Sequence, residues 1–386
     1  MARRAGVSRF LFSTGVLGLA AATMAFSSAD AATRPRGHGH GPGHGHKDTT
    51  CLTGTLKYHG FNAEAGTSKP ATEAPARNAN WELWGSTTAS GSPKKLSGGI
   101  TSAGNGSFNA CYSAGPLAKA YVRFTSASTA TWRVITSETG GVYAFTTPTR
   151  SASGTVNLGT VWAPTAIQDA WKIVDTMNLL YWKRANPTTP CWTKHQAAGK
   201  CDIFTVVWSA DRDGGYWDYG GTNFVILGGD QPDSQHLVLH EAGHWFQWQL
   251  YNKSFPEVTG CSPHYVERSS STSCAWTEGF ADAVAAYALG DYRYVFDTGQ
   301  EASFVNDPST PGWDSGDTVQ GRVGSSLLDL WAGDGPDGGS WDSNIAMMSG
   351  HFSQDFREYF TTDRPAAGLG TQGVPTQILA SHTIRY

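Results

Sequence analysis

The sequence predicts an α+β protein built from two successive domains, and three observations lead to that fold class. Short runs of β-branched and aromatic residues, separated by turn residues, fill residues 51–163. From residue 164 onwards, apolar residues recur at helical spacing instead. The chain has 386 residues, enough for a sizeable core in each part. We therefore expect an all-β sandwich domain over residues 51–163 and an α+β domain over residues 164–386.

The first residues carry the pattern of a signal peptide. Arginines precede an apolar run over residues 10–26, and small residues at Ala29 and Ala31 then suit cleavage. We expect residues 1–31 to be removed on secretion, by either the general or the twin-arginine route, leaving no stable membrane anchor. Residues 32–50 hold a Gly/His-rich tract typical of a flexible linker, with weak metal binding by its histidines as the alternative.

Charge and cysteine content define the setting further. The formal net charge is −4, so there is no excess of basic residues to bind phosphates, and a nucleic-acid partner is excluded. An even number of cysteines in an exported chain indicates disulfide bonds rather than thiolate metal sites. Spacing favours three pairs, while the sequence alone leaves other pairings open: Cys51 with Cys111, Cys191 with Cys201, and Cys261 with Cys274.

Within the first domain, residues 120–124 alternate between apolar and polar or aromatic side chains, which predicts a strand with one buried face. Asn105-Gly106 is a strong hairpin turn signal. In the second domain, a long amphipathic helix follows Pro164, and two apolar runs at 203–208 and 224–227 predict buried strands. The next helix should begin near Asp233 or Ser234.

That next helix carries the chemistry. His240, Glu241 and His244 form an H-E-x-x-H pattern, and on a helix two histidines four residues apart lie on one face, where they can hold one metal ion. Zinc takes neutral nitrogen ligands and keeps one position open for water in catalytic sites. Glu241 would reach that water and accept its proton. A structural helix with two incidental histidines is the alternative.

A later segment supplies the remaining ligand. Glu278 and Asp282 lie one turn apart, and a run of small and apolar residues follows them, which predicts a buried helix. Glu278 would be the third metal ligand, and Asp282 would accept the second ring N–H of a ligating histidine and so fix its tautomer. A surface acidic helix is the alternative, although Trp276 and Phe280 disfavour full solvation.

These residues resemble the gluzincin metallopeptidases, the clan with a thermolysin-like active-site core. The resemblance implies a zincin-like metallopeptidase domain that binds one Zn²⁺ per chain through His240, His244 and Glu278, with Glu241 as the general base and Asp282 behind the ligands. The metzincin pattern does not fit, because Gln247 and Leu250 stand where that pattern has glycine and histidine. The first domain loosely resembles prealbumin-like or carboxypeptidase-regulatory-like modules, through Gly54-Thr55-Leu56, Trp81-Glu82-Leu83-Trp84 and Gly104-Asn105-Gly106-Ser107-Phe108.

The resemblance also implies how a substrate binds. In zincins an edge strand before the active-site helix pairs with the peptide backbone, and that strand would be formed here by Asn223, Phe224, Val225, Ile226 and Leu227. The clan's later histidine, which stabilises the oxyanion, has no counterpart, since the comparable segment offers Asp317 and Arg322. We therefore take Tyr265 as the candidate oxyanion stabiliser, with His264 and His351 as further candidates.

The predicted function is that of a secreted zinc-dependent endopeptidase that acts on protein or peptide substrates. Two other functions stay open: a non-catalytic extracellular binding protein with a structural metal site, and a zinc hydrolase of a non-peptide amide. An unliganded Glu241 argues against the first, because a purely structural zinc site has no use for a base and closes its fourth position with protein. The hydrolytic centre itself does not separate a peptidase from an amide hydrolase.

Overall fold

A computed structural model describes residues 48–128, 131–184, 190–197 and 199–386. The predicted signal peptide and residues 32–47 of the predicted linker lie outside the described residues. Sixteen strands and eight α-helices are named here in chain order. The strands are β1 (Thr50–Phe61), β2 (Ala71–Pro75), β3 (Asn80–Ser86), β4 (Lys94–Ile100), β5 (Ser107–Tyr112), β6 (Leu117–Thr125), β7 (Ala127–Ser128), β8 (Trp132–Ile135), β9 (Ala144–Thr146), β10 (Arg150–Ala152), β11 (Thr155–Trp162), β12 (Phe204–Ser209), β13 (Tyr216–Trp217), β14 (Val225–Gly228), β15 (Arg293–Val295) and β16 (Glu301–Ser303).

The helices follow the β-rich segment, and the predicted α+β class is confirmed. A short π-helical stretch, Tyr359–Asp363, joins the sixth and seventh helices. The helices are α1 (Gln168–Lys183), α2 (Gln235–Leu250), α3 (Thr272–Leu289), α4 (Gln320–Trp331), α5 (Asp342–Met348), α6 (Phe356–Glu358), α7 (Arg364–Ala366) and α8 (Val374–Ser381).

Two sheets form the first part of the described chain. In one sheet, β1 pairs with the parallel strand β11 on one side and with β5 and β2 on the other. The second sheet has the order β10-β6-β3-β4, and β9 also pairs with β6. Phe108 of the first sheet packs edge-on against Phe124 of the second, with ring centroids 5.1 Å apart. The predicted alternation over residues 120–124 is confirmed, because Ala120, Val122 and Phe124 are fully buried.

A third sheet of five strands has the order β13-β14-β12-β8-β7. Strands β7 and β8 come from before residue 163, yet β8 pairs in parallel with β12, from Trp132 opposite Phe204 to Ile135 opposite Val207. Residues from Asp48 onwards belong to one compact unit. The division into 51–163 and 164–386 stays a prediction, and the third sheet uses strands from both sides of it.

Helix α1 links the first sheet to the rest of the protein. Asp175, buried in α1, accepts hydrogen bonds from the Tyr58 hydroxyl of β1 (3.1 Å) and from Arg77 Nη2 (2.8 Å). Buried apolar side chains of the first two sheets and of the long helices form one continuous cluster. No helix among the described residues is long and apolar enough to span a membrane.

The six cysteines form three disulfide bonds, and the predicted pairs are confirmed: Cys51–Cys111, Cys191–Cys201 and Cys261–Cys274. The first pair joins β1 to β5 within one sheet, where the two cysteines lie directly opposite each other. The third pair fastens the loop before α3 to the first turn of that helix. Each bond restricts the unfolded chain and so stabilises the fold.

Glu82 in β3 is the centre of a charged cluster on the second sheet. Its carboxylate accepts hydrogen bonds from Lys95 Nζ (2.7 Å), Trp84 Nε1 (2.9 Å) and Arg123 Nη1 (3.0 Å). Burial raises the pKa of Glu82, but these three donors outweigh it and lower the pKa to about 2. The carboxylate therefore contributes to stability in its charged form.

We expect Glu82→Gln to lower the free energy of unfolding by about 1 kcal/mol at neutral pH. Because the folded-state pKa is depressed, this contribution is complete above the ordinary glutamate pKa and is lost as pH falls from there towards 2. Urea unfolding at pH 7 and pH 3 measures it, with Glu73→Gln at an exposed position as the control. An equal difference between wild type and variant at both pH values would contradict the assignment.

Candidate metal centre

Helix α2 is fixed at its beginning by a side chain. Ser234 is the N-cap, as predicted, and its Oγ accepts the backbone N–H of Leu237 (2.9 Å) while donating to the carbonyl of Val295 (2.6 Å). A capped end satisfies donors that the helix leaves free and sets its register. Three histidines then follow at four-residue spacing on one buried face: His236, His240 and His244.

Helices α2 and α3 approach each other closely at Gly243. A Cβ atom placed on Gly243 would lie 2.8 Å from the Cα of Ala281, a contact with backbone that no rotamer change can relieve. On the other side of α3, a Cβ on Gly279 would lie 2.6 Å from the carbonyl oxygen of Gln320 in α4. Glycine at both positions lets the three helices pack with their backbones close together.

This close packing brings the predicted ligands together. The Nε2 atom of His240 lies 3.1 Å from Glu278 Oε2, and the Nε2 atom of His244 lies 3.4 Å from the same oxygen. All three side chains are buried, and their ligand atoms lie within 4.8 Å of one another. Two imidazole nitrogens and one carboxylate oxygen are the donor set that zinc takes in catalytic sites, so the residues present fit a zinc ion.

Asp282 holds the first histidine in place. His240 Nδ1 lies 2.7 Å from Asp282 Oδ1, and Gln320 Nε2 donates to the other oxygen at 3.1 Å. A carboxylate accepts only, so Nδ1 carries a proton, and this leaves Nε2, which faces Glu278, as the ring nitrogen that would ligate an ion. This is the position that the sequence predicts for Asp282.

The charges of the histidines and of the carboxylates shift one another's pKa values in this centre. Burial lowers the pKa of His240, but its hydrogen bond with Asp282 and the negative charge of Asp282 hold that pKa well above its usual range. Burial raises the pKa of Glu278, but the charge of His244 and hydrogen bonds with both histidines hold it well below its usual range. Protons and a cation therefore compete for the same groups, so metal binding is coupled to proton release.

Glu241 lies beside the ligands without belonging to them. Its side chain is 7% exposed, and it lines an open cavity of about 740 Å³ together with His240, His244 and Glu278. Burial raises the pKa of Glu241, although the positive charges of His240 and His244 oppose the shift. A carboxylate with a raised pKa is a better proton acceptor near neutral pH.

The prediction that residues 223–227 form an edge strand is wrong. Within β14, Val225 and Ile226 pair with β12 on one side and with β13 on the other, while Asn223 and Phe224 precede the strand. The edge is formed by β13, residues Tyr216–Trp217, which line the cavity. Gly215, with φ of +89°, allows the chain to turn just before β13. Its N–H already bonds to the Ile226 carbonyl, so that β13 runs along the outer side of β14 and covers it.

Tyr265, the predicted oxyanion stabiliser, does not line the cavity. Its side chain is 51% exposed, and the neighbouring His264 lines the cavity instead. His264 Nδ1 lies 2.8 Å from the Cys261 carbonyl, which turns Nε2 towards Glu278 Oε2 at 3.4 Å. Because the Cys261–Cys274 disulfide ties this loop to α3, one turn before Glu278, the loop is held next to the ligands.

Asp317, Arg322 and His351 are accounted for by other contacts. Arg322 is buried, and its guanidinium donates to Asn306 Oδ1 and to backbone carbonyls. Asp317 accepts the hydroxyl of Tyr386 at 3.0 Å. His351 lies near Asp363. These side chains hold the C-terminal region together and do not line the cavity.

Two residues of the centre were missed from the sequence. His236 is fully buried and packs against Tyr294 with ring centroids 4.7 Å apart. Its four-residue spacing from His240 was a signal in the sequence that it lies on the same helix face. Tyr294 lines the cavity and packs edge-on against His240 with ring centroids 5.7 Å apart. Burial raises the pKa of Tyr294 well above its usual range, so its hydroxyl keeps its proton. No sequence signal singles out Tyr294, because a chain turn after α3 brings it to the site.

Comparison with known families agrees with this arrangement. A family model described as the mycolysin C-terminal domain matches residues 185–383, more than half of the chain and the whole of the candidate centre. The chain belongs to the mycolysin family. The mycolysin middle domain matches residues 51–170. Mycolysin domains occur in thermolysin-like peptidases, and together with the three disulfides they indicate an extracellular protein of a metallopeptidase family.

Other comparisons add nothing to the mycolysin match. No curated protein matches the chain. A 9R-lipoxygenase from Cyanothece PCC8801 is 16% identical, with 40% of this chain and 24% of the lipoxygenase covered and a TM-score of 0.18. A likeness this weak carries no argument about fold or function.

The contact between α2 and α3 can be tested through Gly243→Ala. Alanine gains about 1 kcal/mol in helix propensity. A contact that only backbone movement can relieve lies in the upper part of the range for overpacking, about 2–3 kcal/mol, so we expect a net loss of about 1–2 kcal/mol of stability. Urea unfolding measures it. Gly350→Ala, just after α5, is the control for an added methyl group, because a Cβ there would meet its nearest atom at 3.5 Å, an ordinary van der Waals contact. A Gly243→Ala protein as stable as wild type would show that the helices have room to separate.

Proposed function

We propose that the chain is a secreted zinc-dependent endopeptidase that hydrolyses peptide bonds. The observation that carries this proposal is the convergence of three buried ligand atoms at an open cavity that also receives the unliganded carboxylate of Glu241. A purely structural zinc site is closed by a fourth protein ligand and has no base beside it. Membership of the mycolysin family supports the same reaction class.

His240, His244 and Glu278 would hold one zinc ion per chain. Zinc bound in such a site polarises a carbonyl group and lowers the pKa of a water molecule to near neutrality. Asp282 keeps the Nδ1 proton of His240 in place, so that Nε2 is free to ligate. The three side chains come from two helices whose spacing is fixed at Gly243, which keeps the donor set preformed.

Glu241 acts as the general base. It follows His240 directly in α2, and its side chain faces the cavity beside the metal ligands. In the proposed reaction, Glu241 accepts a proton from the attacking water and then gives it to the leaving amine, which balances the protons over the cycle. Its pKa, raised by burial, suits a group that must first accept a proton and then return it.

Tyr294 replaces Tyr265 as the proposed donor to the oxyanion. Its hydroxyl stays protonated, and its ring packs on that of His240 at the cavity wall. A hydroxyl placed there can donate to the negative oxygen that develops on the scissile carbonyl. His264 lines the same cavity, with Nδ1 donating to the Cys261 carbonyl and Nε2 facing Glu278 Oε2 at 3.4 Å.

A peptide substrate would bind in extended form along β13. The exposed edge of Tyr216–Trp217 lies at the cavity, and unpaired backbone groups on a sheet edge can pair with an added strand. Aromatic side chains surround this edge, since Trp217 packs against Tyr219 and Phe255. The proposed substrate is therefore a protein or peptide rather than a small amide.

The base and the third ligand are tested by two variants. We expect Glu241→Gln to lower kcat/KM for peptide cleavage by about 10²–10⁴-fold while about one zinc per chain is retained. Glu278→Ala should weaken zinc binding by more than about 100-fold, since loss of an outer-shell partner alone costs about 10–100-fold. Metal analysis and a peptide-cleavage assay on the mature protein measure both. Unchanged cleavage by Glu241→Gln would overturn its assignment as the base.

The oxyanion donor is tested by a matched pair of variants. Tyr294→Phe removes one hydroxyl and should lower kcat by about 10²–10³-fold, with zinc affinity unchanged. Tyr265→Phe removes the same group from an exposed residue outside the cavity and should leave turnover at the wild-type level. Steady-state kinetics on one peptide decide between them. A larger loss in Tyr265→Phe would restore the prediction made from the sequence.

A further inference from the structure

The turn after β1 lies against the beginning of the active-site helix α2. Glu64, in a short helical turn over Ala63–Ala65, accepts the backbone N–H of His236 on Oε1 at 3.0 Å. The two residues are 172 positions apart in the chain. Ser234 caps the neighbouring N–H of Leu237, so the first turn of α2 is completed by one local and one distant acceptor. A carboxylate at this end also complements the partial positive charge of the helix.

The turn that carries Glu64 is held from several directions. Arg293 Nη2, in β15, donates to the carbonyl of Glu64 at 3.0 Å. Lys172 of α1 donates to the carbonyl of Phe61 and to that of Asp233, just before the helix cap. Gly299 packs so closely that a Cβ there would lie 2.3 Å from the carbonyl oxygen of Gly66. The position of Glu64 is therefore set by α1, by β15 and by the turn at Gly299.

These contacts lie one helical turn from the proposed metal ligands. His236 precedes His240 by four residues, and its ring packs on Tyr294, the neighbour of Arg293. Tyr294 in turn packs on His240. A displacement of Glu64 would thus reach the metal centre by two routes, through the register of α2 and through the strand that carries Tyr294.

We infer that Glu64 is a positioning residue of the metal centre, and that the β-rich N-terminal segment is for this reason an integral part of the catalytic unit. The inference rests on the proposed function, because that function gives α2 its catalytic role. The contact between Glu64 and α2 does not depend on it. Glu64 touches neither the ligands nor the cavity; it acts through the backbone of His236.

Glu64→Ala and Glu64→Gln test the inference in the full mature chain. Alanine removes the acceptor, and we expect amide hydrogen exchange in the first turn of α2 to become at least about tenfold faster in the zinc-free protein, with exchange in α1 unchanged. Zinc affinity, measured by competition with a chelator, should weaken by about three- to tenfold, which is less than the roughly 10–100-fold cost of losing an outer-shell partner. Glutamine keeps an acceptor oxygen and should restore both quantities to within about threefold of wild type.

Glu73→Ala is the matched control, because it removes an exposed carboxylate from β2 of the same segment and should change neither quantity. The inference would be overturned if amide exchange and zinc affinity in Glu64→Ala stayed within twofold of wild type. It would also be overturned if Glu64→Gln did not restore both quantities. Should Glu64→Ala not fold, Arg293→Met loosens the same turn, and unchanged exchange in α2 would then be decisive. A wild-type chain that binds no zinc would overturn the proposed function, while the exchange measurements would still decide the role of Glu64.

Discussion

The contact between Gly243 and Ala281 is the constraint on which the candidate centre depends. It lets α2 and α3 lie close enough for a side chain of each helix to reach the other without a mobile loop in between. His240 can then meet Glu278 with one ring nitrogen and Asp282 with the other. Larger residues at the contact would separate the helices, and the same sequence motif would then hold its groups too far apart to act on one ion.

The grouping of the candidate metal ligands could be predicted from the sequence because helical spacing translates directly into geometry. His240 and His244 lie one turn apart whatever surrounds them, and Glu278 and Asp282 stand in the same relation on α3. Two of the cysteine pairs, Cys191–Cys201 and Cys261–Cys274, were also accessible because short separations favour local bridges, whereas Cys51–Cys111 spans 60 positions. The catalytic roles of these residues stay predictions, but their placement together in space is what the motif requires.

The remaining features depend on the path of the chain, which local patterns do not encode. The edge strand was misassigned because β13 is only two residues long and folds back at Gly215, so that it covers the longer apolar run. Tyr265 and His264 are adjacent in one loop, and the hydrogen bond between His264 and the Cys261 carbonyl, which fixes the ring at the cavity, is not encoded in a local pattern. The pairing of β8 with β12 joins residues about seventy positions apart, a distance at which periodicity carries no information.

The parallel pairing of β8 with β12 also affects the order in which the protein can fold. Trp132 and its neighbours leave the ribosome well before Phe204 does, and α1 lies between them. The third sheet therefore cannot close while the first half of the chain stands alone, and a non-local parallel pairing is a slow step. The candidate metal centre forms later still, because Glu278 lies in α3, and a hydrolytic activity would therefore be delayed until most of the chain has been synthesised and packed.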